Sequence, residues 1–284
     1  MIYEEGDSLS SPVRRNSHII SSDTRLLISA RYKRITRAIN SEFWNSSSET
    51  DHSLYVGSYG RNTAINTSDL DVMVILPEDE YDHFTSLNGN GPSKLLQAVK
   101  NAISNTYPNT SIHGDGQVVV IKFSDGMRFE ILPAFQHMVG YGYYRHWDGT
   151  YIYPDSNMGG NWLSTNPKAE QDAMTDKNTS SNGLLVETCK HIRYIRDTEY
   201  SSYHLSGILV DAFVYEAIGG WHFRKENEQH VDSEESYEQA LVKRYNDMSY
   251  GRLIEPMLKA PGSNMSIDSK KGWSVLGKVL DFMV

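Results

Sequence analysis

From Ser22 to Asn45 the apolar positions Ile28, Tyr32, Ile35, Ile39 and Phe43 recur every three or four residues, with Arg31, Lys33, Arg34 and Arg37 between them. This spacing gathers the apolar side chains on one stripe and predicts a long amphipathic helix, capped by Ser22 or Asp23. The pattern then shortens. Leu54 and Val56, Leu70 to Leu76, Val118 to Phe123, and Phe129 to Leu132 are β-rich runs bounded by Gly, Asn, Asp and Pro, which predicts strands. Ser93 to Tyr107 returns to helical spacing. Ser124, Asp125 and Gly126 supply turn chemistry between the last two runs, so Val118 to Leu132 is expected to form an antiparallel hairpin.

Past the aromatic-rich stretch Tyr141 to Tyr153 and an expected loop over Pro154 to Trp162, strand patterning stops. Leu184 to Arg196, Leu205 to Ile218, Ser236 to Asp247 and Val275 to Met283 all suit helices. The expected fold class is α+β: a mixed sheet with flanking helices over residues 1–165, with the long N-terminal helix as its spine, followed by a helical lobe over residues 166–284.

Composition narrows the classes. With 39% hydrophobic and 22% charged residues in a chain of 284, disorder and collagen-like repeats are excluded. The most apolar stretch, Gly207 to Trp221, is interrupted by Asp211 and Glu216 and falls short of the roughly 20 apolar residues that span a bilayer. The first residues carry Glu4, Glu5 and Asp7 without an apolar run, unlike a signal peptide. The single cysteine, Cys189, excludes an intramolecular disulfide and a multi-cysteine zinc site. A cytoplasmic protein is expected. The net charge of -9 argues against affinity for long nucleic acid, which draws on clustered Lys and Arg. No membrane partner is expected either.

Chemistry concentrates in the first half. In Ser68-Asp69-Leu70-Asp71 at the head of an apolar strand, side chains alternate between faces, so Asp69 and Asp71 point the same way. Two like charges beside such a core repel unless a cation neutralises them, and a hard divalent ion with oxygen ligands is the natural partner. Upstream, Gly57-Ser58-Tyr59-Gly60-Arg61 follows a strand; glycine lets backbone approach a ligand, and a turn into a helix presents N–H groups and a hydroxyl to phosphate. Downstream, Glu130 interrupts the apolar run Phe129-Glu130-Ile131-Leu132, a costly position for an unpaired carboxylate. Each feature alone also reads as an ordinary turn, cap or exposed strand residue.

In order and spacing, these features resemble the polymerase-β-like nucleotidyltransferase superfamily. More narrowly, Gly57 to Ile65, Ser68 to Asp71, Gly114-Asp115-Gly116-Gln117, Phe129 to Phe135, and the connection from Tyr153 through Gly160-Asn161-Trp162 to Asn166-Pro167-Lys168 resemble the bacterial cGAS/DncV-like nucleotidyltransferases (CD-NTases, SMODS-type), the cyclic-oligonucleotide synthases of antiphage defence. The resemblance runs from about Leu54 to Lys168 and weakens beyond. It implies a polymerase-β-like core and a helical lobe with nucleotides held between them, and metal-dependent synthesis of a cyclic dinucleotide messenger from nucleoside triphosphates such as ATP and GTP, with pyrophosphate release.

By the same resemblance Asp69, Asp71 and Glu130 are the catalytic acids and hold two Mg²⁺ ions, with Mn²⁺ as a substitute. Gly57 and Ser58 hold the donor triphosphate. Lys190, Ser202 and Tyr203 are the further nucleotide-binding candidates; Lys190 is matched to a helical phosphate-binding lysine, and Tyr203 is either a base-stacking face or a core tyrosine. Lys190, Arg193 and Arg196 share one helical ridge, on which Arg193 and Arg196 read as a solvated basic face. His191 and His222 read as structural or exposed. The single cysteine cannot build the zinc element of the animal relative, so no long nucleic acid activator is expected. A monomer with defence-operon protein partners is the expected assembly. Two other functions fit the same residues: nucleotide addition to an RNA or protein acceptor, and non-catalytic nucleotide sensing.

Overall fold

A computed structural model of the chain describes residues 1–3, 12–66, 69–229, 235–250 and 256–284. In chain order, a short strand β1 (Ile2–Tyr3) precedes α1 (Ser22–Phe43), β2 (Ser53–Tyr55) and the one-turn helix α2 (Gly57–Gly60). Next come β3 (Leu70–Ile75), α3 (Glu78–Ser86), α4 (Gly91–Thr106), β4 (Ser111–Asp115), β5 (Val118–Lys122) and β6 (Arg128–Val139). The strands β7 (His146–Asp155) and β8 (Asn161–Thr165) lead into α5 (Pro167–Ser180), α6 (Leu184–Glu199) and α7 (Gly207–Ala217). β9 (His222–Phe223), α8 (Tyr237–Ser249) and α9 (Trp273–Met283) complete the described elements.

The chain divides into two compact units. One, Ile20–Gly60 with Asn66–Pro167, holds the sheet; the other, Met1–Ile19 with Arg61–Ile65 and Lys168–Val284, is mainly helical. The boundary after Pro167 lies close to the expected 165/166, but of the described residues 1–3, 12–19 and 61–65 group with the helices. The first does so through β1, which pairs in parallel with β9.

In the sheet unit the strands run β2-β3-β6-β5-β4, with β7 on β6 and β8 on β7. Among the described residues, the β3–β6 pair alone is parallel within this sheet. Successive side chains alternate between faces. Leu70, Val72, Val74, Val119, Ile121, Phe129 and Ile131 lie on one face and are fully or almost fully buried, because α1 packs on α4 and β3, and α4 on β4, β5 and β6. The opposite face is apolar only in part. Val56, Met73 and Ala134 cluster there with Tyr151 of β7, and Asp71 and Glu130 share that face.

Three expectations need correction, and one open alternative closes. Helix α1 is capped by Ser21, whose Oγ accepts from the Thr24 N–H at 3.2 Å, and not by Ser22 or Asp23, which already lie inside it. Pro154 to Trp162, expected as a loop, holds the end of β7 and the start of β8, and strand structure expected to stop there runs on to Thr165. These outer strands are only partly buried, so Asp, Gly, Asn and Thr occupy many of their positions and mask the alternation that marks a half-buried strand. Arg193 is not on a solvated face. It lies buried against α7, as described next. Tyr203 is not a core residue, being 50% exposed.

The helical unit is built on Leu185, Cys189 and Ile192 of α6, Leu209 and Phe213 of α7, Tyr237 and Leu241 of α8, and Leu276 and Leu280 of α9. Into this core α7 inserts a fully buried Asp211. Arg61 Nε donates to its Oδ2 at 2.8 Å, Thr63 Oγ1 donates to the same oxygen at 3.1 Å, and Arg193 Nη1 lies 2.7 Å from Oδ1. Arg61 also pairs with Glu170 at 2.9 Å, and Ser263 donates to that carboxylate at 3.1 Å. Arg193 donates further to the Cys189 and Gly207 carbonyls. Desolvation opposes the Asp211 charge, but the two guanidiniums and their hydrogen bonds outweigh it and hold its pKa below the usual carboxylate value.

Candidate active site

Asp71 is the second residue of β3 and Glu130 the third of β6, and the parallel register makes them direct partners. Their backbones are thus about 4.8 Å apart, the spacing of neighbouring strands. Leu70 pairs with Phe129 in the same register, so its continuation sets Asp69 beside Arg128. With a period of two, Asp69, Asp71, Arg128 and Glu130 form a square on one face of the sheet. Ser68 lies outside the described residues.

The side chains follow this backbone frame. Arg128 Nη2 is 2.5 Å from Glu130 Oε1, and Nη1 is 3.5 Å from Asp69 Oδ1. The Asp69 side chain is 55% exposed, whereas that of Glu130 is 23% exposed. Burial pushes the Glu130 pKa up, and the neighbouring Asp69 and Asp115 charges push the same way; Arg128 opposes them without reversing the shift. Glu130 therefore holds a proton more readily than an ordinary carboxylate.

Gly57 opens α2 directly after β2 and sits against Asp71. Its φ is +58°, and a Cβ at this position would overlap the Asp71 carboxylate. Glycine is required on both counts. The Val56 N–H donates to the Asp71 carbonyl at 2.9 Å and the Gly60 N–H to the Val56 carbonyl at 2.9 Å, which fixes the start of α2, and with it Ser58, to the head of β3.

The sheet unit thus brings together Gly57, Ser58, Asp69, Asp71 and Glu130. Lys190, Ser202 and Tyr203 belong to the helical unit, and they do not share one place in it. Lys190, nearly buried, lies 3.5 Å from Glu187 one turn earlier. Tyr203 follows the far end of α6, where its ring carries the Lys278 ammonium at 4.7 Å and meets Tyr200 edge-on. Ten residues of helix separate Lys190 from Tyr200, about 15 Å at 1.5 Å per residue. Ser202 is exposed. His191 is buried beside His18, the ring nitrogens 3.3 Å apart. Burial, then His191 and Lys190, lower the His18 pKa to about 4.

Sequence reading assigned no role to Arg128. The signal was present: Arg128 and Glu130, two apart on a strand, must share a face. For a metal, the donor chemistry fits, since three carboxylates on one face are the hard oxygen ligands that Mg²⁺ prefers. As posed, however, no three His, Cys, Asp or Glu side chains among the described residues stand close enough to hold an ion. Arg128 takes two of the three carboxylates instead.

A sheet with one aspartate on a strand, a second immediately ahead of it and a third acid on the parallel neighbour, entered through a Gly-Ser turn, is the core of a nucleotidyltransferase. Residues 15–178 match the Second Messenger Oligonucleotide or Dinucleotide Synthetase domain family. The chain belongs to that family, and so to the bacterial cGAS/DncV-like nucleotidyltransferases. It is 25% identical over 188 residues to a Bacillus cereus (strain VD146) protein named "probable cyclic nucleotide synthase", a match covering 55% of this chain and 54% of that protein. The chain thus spans about half the length of the curated relative it matches. Its fold is similar to the Elizabethkingia meningoseptica CdnE cyclic dinucleotide synthase solved with GTP and Apcpp, with a TM-score of 0.59 and 16% identity over 93% of this chain and 97% of that one. It is also similar to the Vibrio cholerae DncV cyclic AMP-GMP synthase, with a TM-score of 0.59 and 12% identity over 93% and 85% of the two chains. No helix among the described residues is long and apolar enough to cross a membrane.

Proposed function

We propose that this chain joins nucleoside triphosphates into a cyclic oligonucleotide, a cyclic dinucleotide in the first instance, with release of pyrophosphate. The product is the second messenger of a bacterial antiphage (CBASS-type) response. The observation that carries this reading is the shared face of Asp69, Asp71 and Glu130, with Gly57 against Asp71, in a chain of this family. ATP and GTP are the substrates we assign, in line with the GTP and Apcpp of the E. meningoseptica synthase. Such substrates make the cytoplasm its compartment.

Asp69, Asp71 and Glu130 would hold Mg²⁺, two ions by family resemblance. Bound there, divalent ions supply charge neutralisation for the leaving pyrophosphate and lower the pKa of the attacking ribose hydroxyl. The protein supplies the rest. Gly57 and Ser58 bind the donor triphosphate through backbone N–H groups and a hydroxyl. Glu130, whose burial strengthens its hold on a proton, helps take the proton of the attacking hydroxyl. Lys190 neutralises phosphate charge, and Tyr203, exposed beside Ser202, offers a ring face to a base. A second transfer with donor and acceptor exchanged closes the ring.

Incubation with all four labelled nucleoside triphosphates and Mg²⁺, without an acceptor, tests this reading. A phosphatase-resistant product, identified by mass spectrometry, with pyrophosphate released is the expected result. Label found only on added RNA or protein would make the chain an acceptor-dependent transferase, and nucleotide binding without turnover would make it a sensor.

A further inference from the structure

We propose that Arg128 is the internal counter-cation of the acid face, holding Asp69 and Glu130 until a divalent ion takes its place. The inference rests on the metal-dependent reading above. Its geometry is that of a bridge: one guanidinium nitrogen pairs with Glu130 and another with Asp69, at 2.5 and 3.5 Å. It is also an incomplete bridge. Arg128 Nε is buried without a hydrogen-bond partner among the described residues, and an unsatisfied buried donor costs about 1–3 kcal/mol.

The contrast with Arg193 shows what this means. Arg193, 3% exposed, spends its guanidinium on Asp211 and two carbonyls and has nowhere to go. Arg128 is 32% exposed. It has an unsatisfied N–H, a route to solvent and a long unbranched stem. A divalent ion at the 2.0–2.1 Å typical of Mg²⁺ and a guanidinium 2.5 Å from the same carboxylate are like charges at close range and repel. Ion and arginine therefore compete for Asp69 and Glu130. Arg128 keeps the acids from repelling one another in the unloaded protein and sets how much divalent ion is needed to load it.

The test uses the full chain and Mn²⁺ alone, with free Mn²⁺ followed by electron paramagnetic resonance and the melting temperature read in EDTA. Arg128→Gln removes the charge and keeps a polar side chain. It is expected to bind Mn²⁺ about tenfold tighter, as loss of a nearby positive charge requires, and to melt lower in EDTA. Unchanged or weaker Mn²⁺ affinity overturns the proposal. Should that variant fail to fold, Arg128→Lys keeps the charge but loses the fork that spans two carboxylates; about two- to fivefold tighter Mn²⁺ binding is then expected, and unchanged or weaker binding overturns the proposal. The double variant Asp69→Asn with Asp71→Asn separates this failure from failure of the underlying reading. If it binds Mn²⁺ as the unsubstituted protein does, the metal assignment itself falls, and Arg128 with it.

Discussion

Asp71 and Asp211 both interrupt apolar elements, β3 and α7, yet their surroundings have opposite designs. Asp211 is fully buried and takes two guanidiniums, Arg61 and Arg193, together with the Thr63 hydroxyl. The acid face is built differently. Asp69 and Glu130 share one guanidinium, and Asp71 adds a third carboxylate in direct register with Glu130. A buried charge balanced from within holds a fold together. Carboxylates gathered on a half-open face are arranged to receive a cation, because repulsion between them is tolerated only where something relieves it.

The most damaging way to sharpen this contrast is to remove the acids from each region. Asp69→Asn with Asp71→Asn is expected to lower product formation by about 10³-fold or more, since the several kcal/mol of charge stabilisation supplied by bound metal is lost, while the melting temperature in EDTA stays within a few degrees. Pyrophosphate release and a thermal melt on the same preparation check both halves. Asp211→Asn should do the reverse. Two guanidiniums left facing an uncharged amide in the core are expected to cost about 3–5 kcal/mol of stability, a fall of roughly 10 °C in melting temperature. A stable Asp211→Asn variant would break the comparison.

Smaller effects are expected in the helical unit. Tyr203→Ala should cost about 1–3 kcal/mol of nucleotide binding if a base stacks on the ring, with little change in melting, because the residue is half exposed. Lys190→Ala should weaken nucleotide affinity without unfolding α6, alanine being the better helix former. Equilibrium binding of a labelled triphosphate, measured beside the melting temperature, decides each case; unchanged affinity removes the residue from the site.

Further effects concern pH. The Glu130 pKa is raised in the fold, chiefly by burial, so the folded state holds the proton more tightly than the unfolded chain. That contribution to stability is fully present below the ordinary glutamate range and is lost as pH rises through the raised value. Glu130→Gln should remove this slope and, in EDTA, melt as high as or slightly above the unsubstituted protein at neutral pH while losing activity. His18 works in the other direction: its pKa is lowered to about 4, so its contribution is present above about pH 6.5 and is lost as pH falls from there towards 4.

These contrasts also mark what the sequence could reveal. Elements with one buried face, α1, β3, β5, β6 and the later helices, were legible because burial forces periodicity. The outer strands β7 and β8 and the polar helix α5 were not, because they are only partly buried and many of their residues answer to solvent. Asp69 and Asp71 could be placed on one face from the two-residue period, Glu130 stood out as a lone carboxylate in an apolar run, and Gly57 followed from its motif. The register that joins Asp71 to Glu130 is a long-range pairing that no local pattern specifies. The same is true of Asp211, whose partners come from Arg61 and Arg193, 150 residues earlier in the case of Arg61. Arg193 was misread for this reason: on its own helix it looks solvated, and only α7 shows that it is buried.

The claim that the acid face is built for a cation is tested most directly by melting the unsubstituted protein and the Asp69→Asn, Asp71→Asn variant with and without Mg²⁺. An ion that binds only the folded state raises the melting temperature by mass action. The account predicts a Mg²⁺-dependent rise in the unsubstituted protein and none in the variant; an equal rise in both would contradict it.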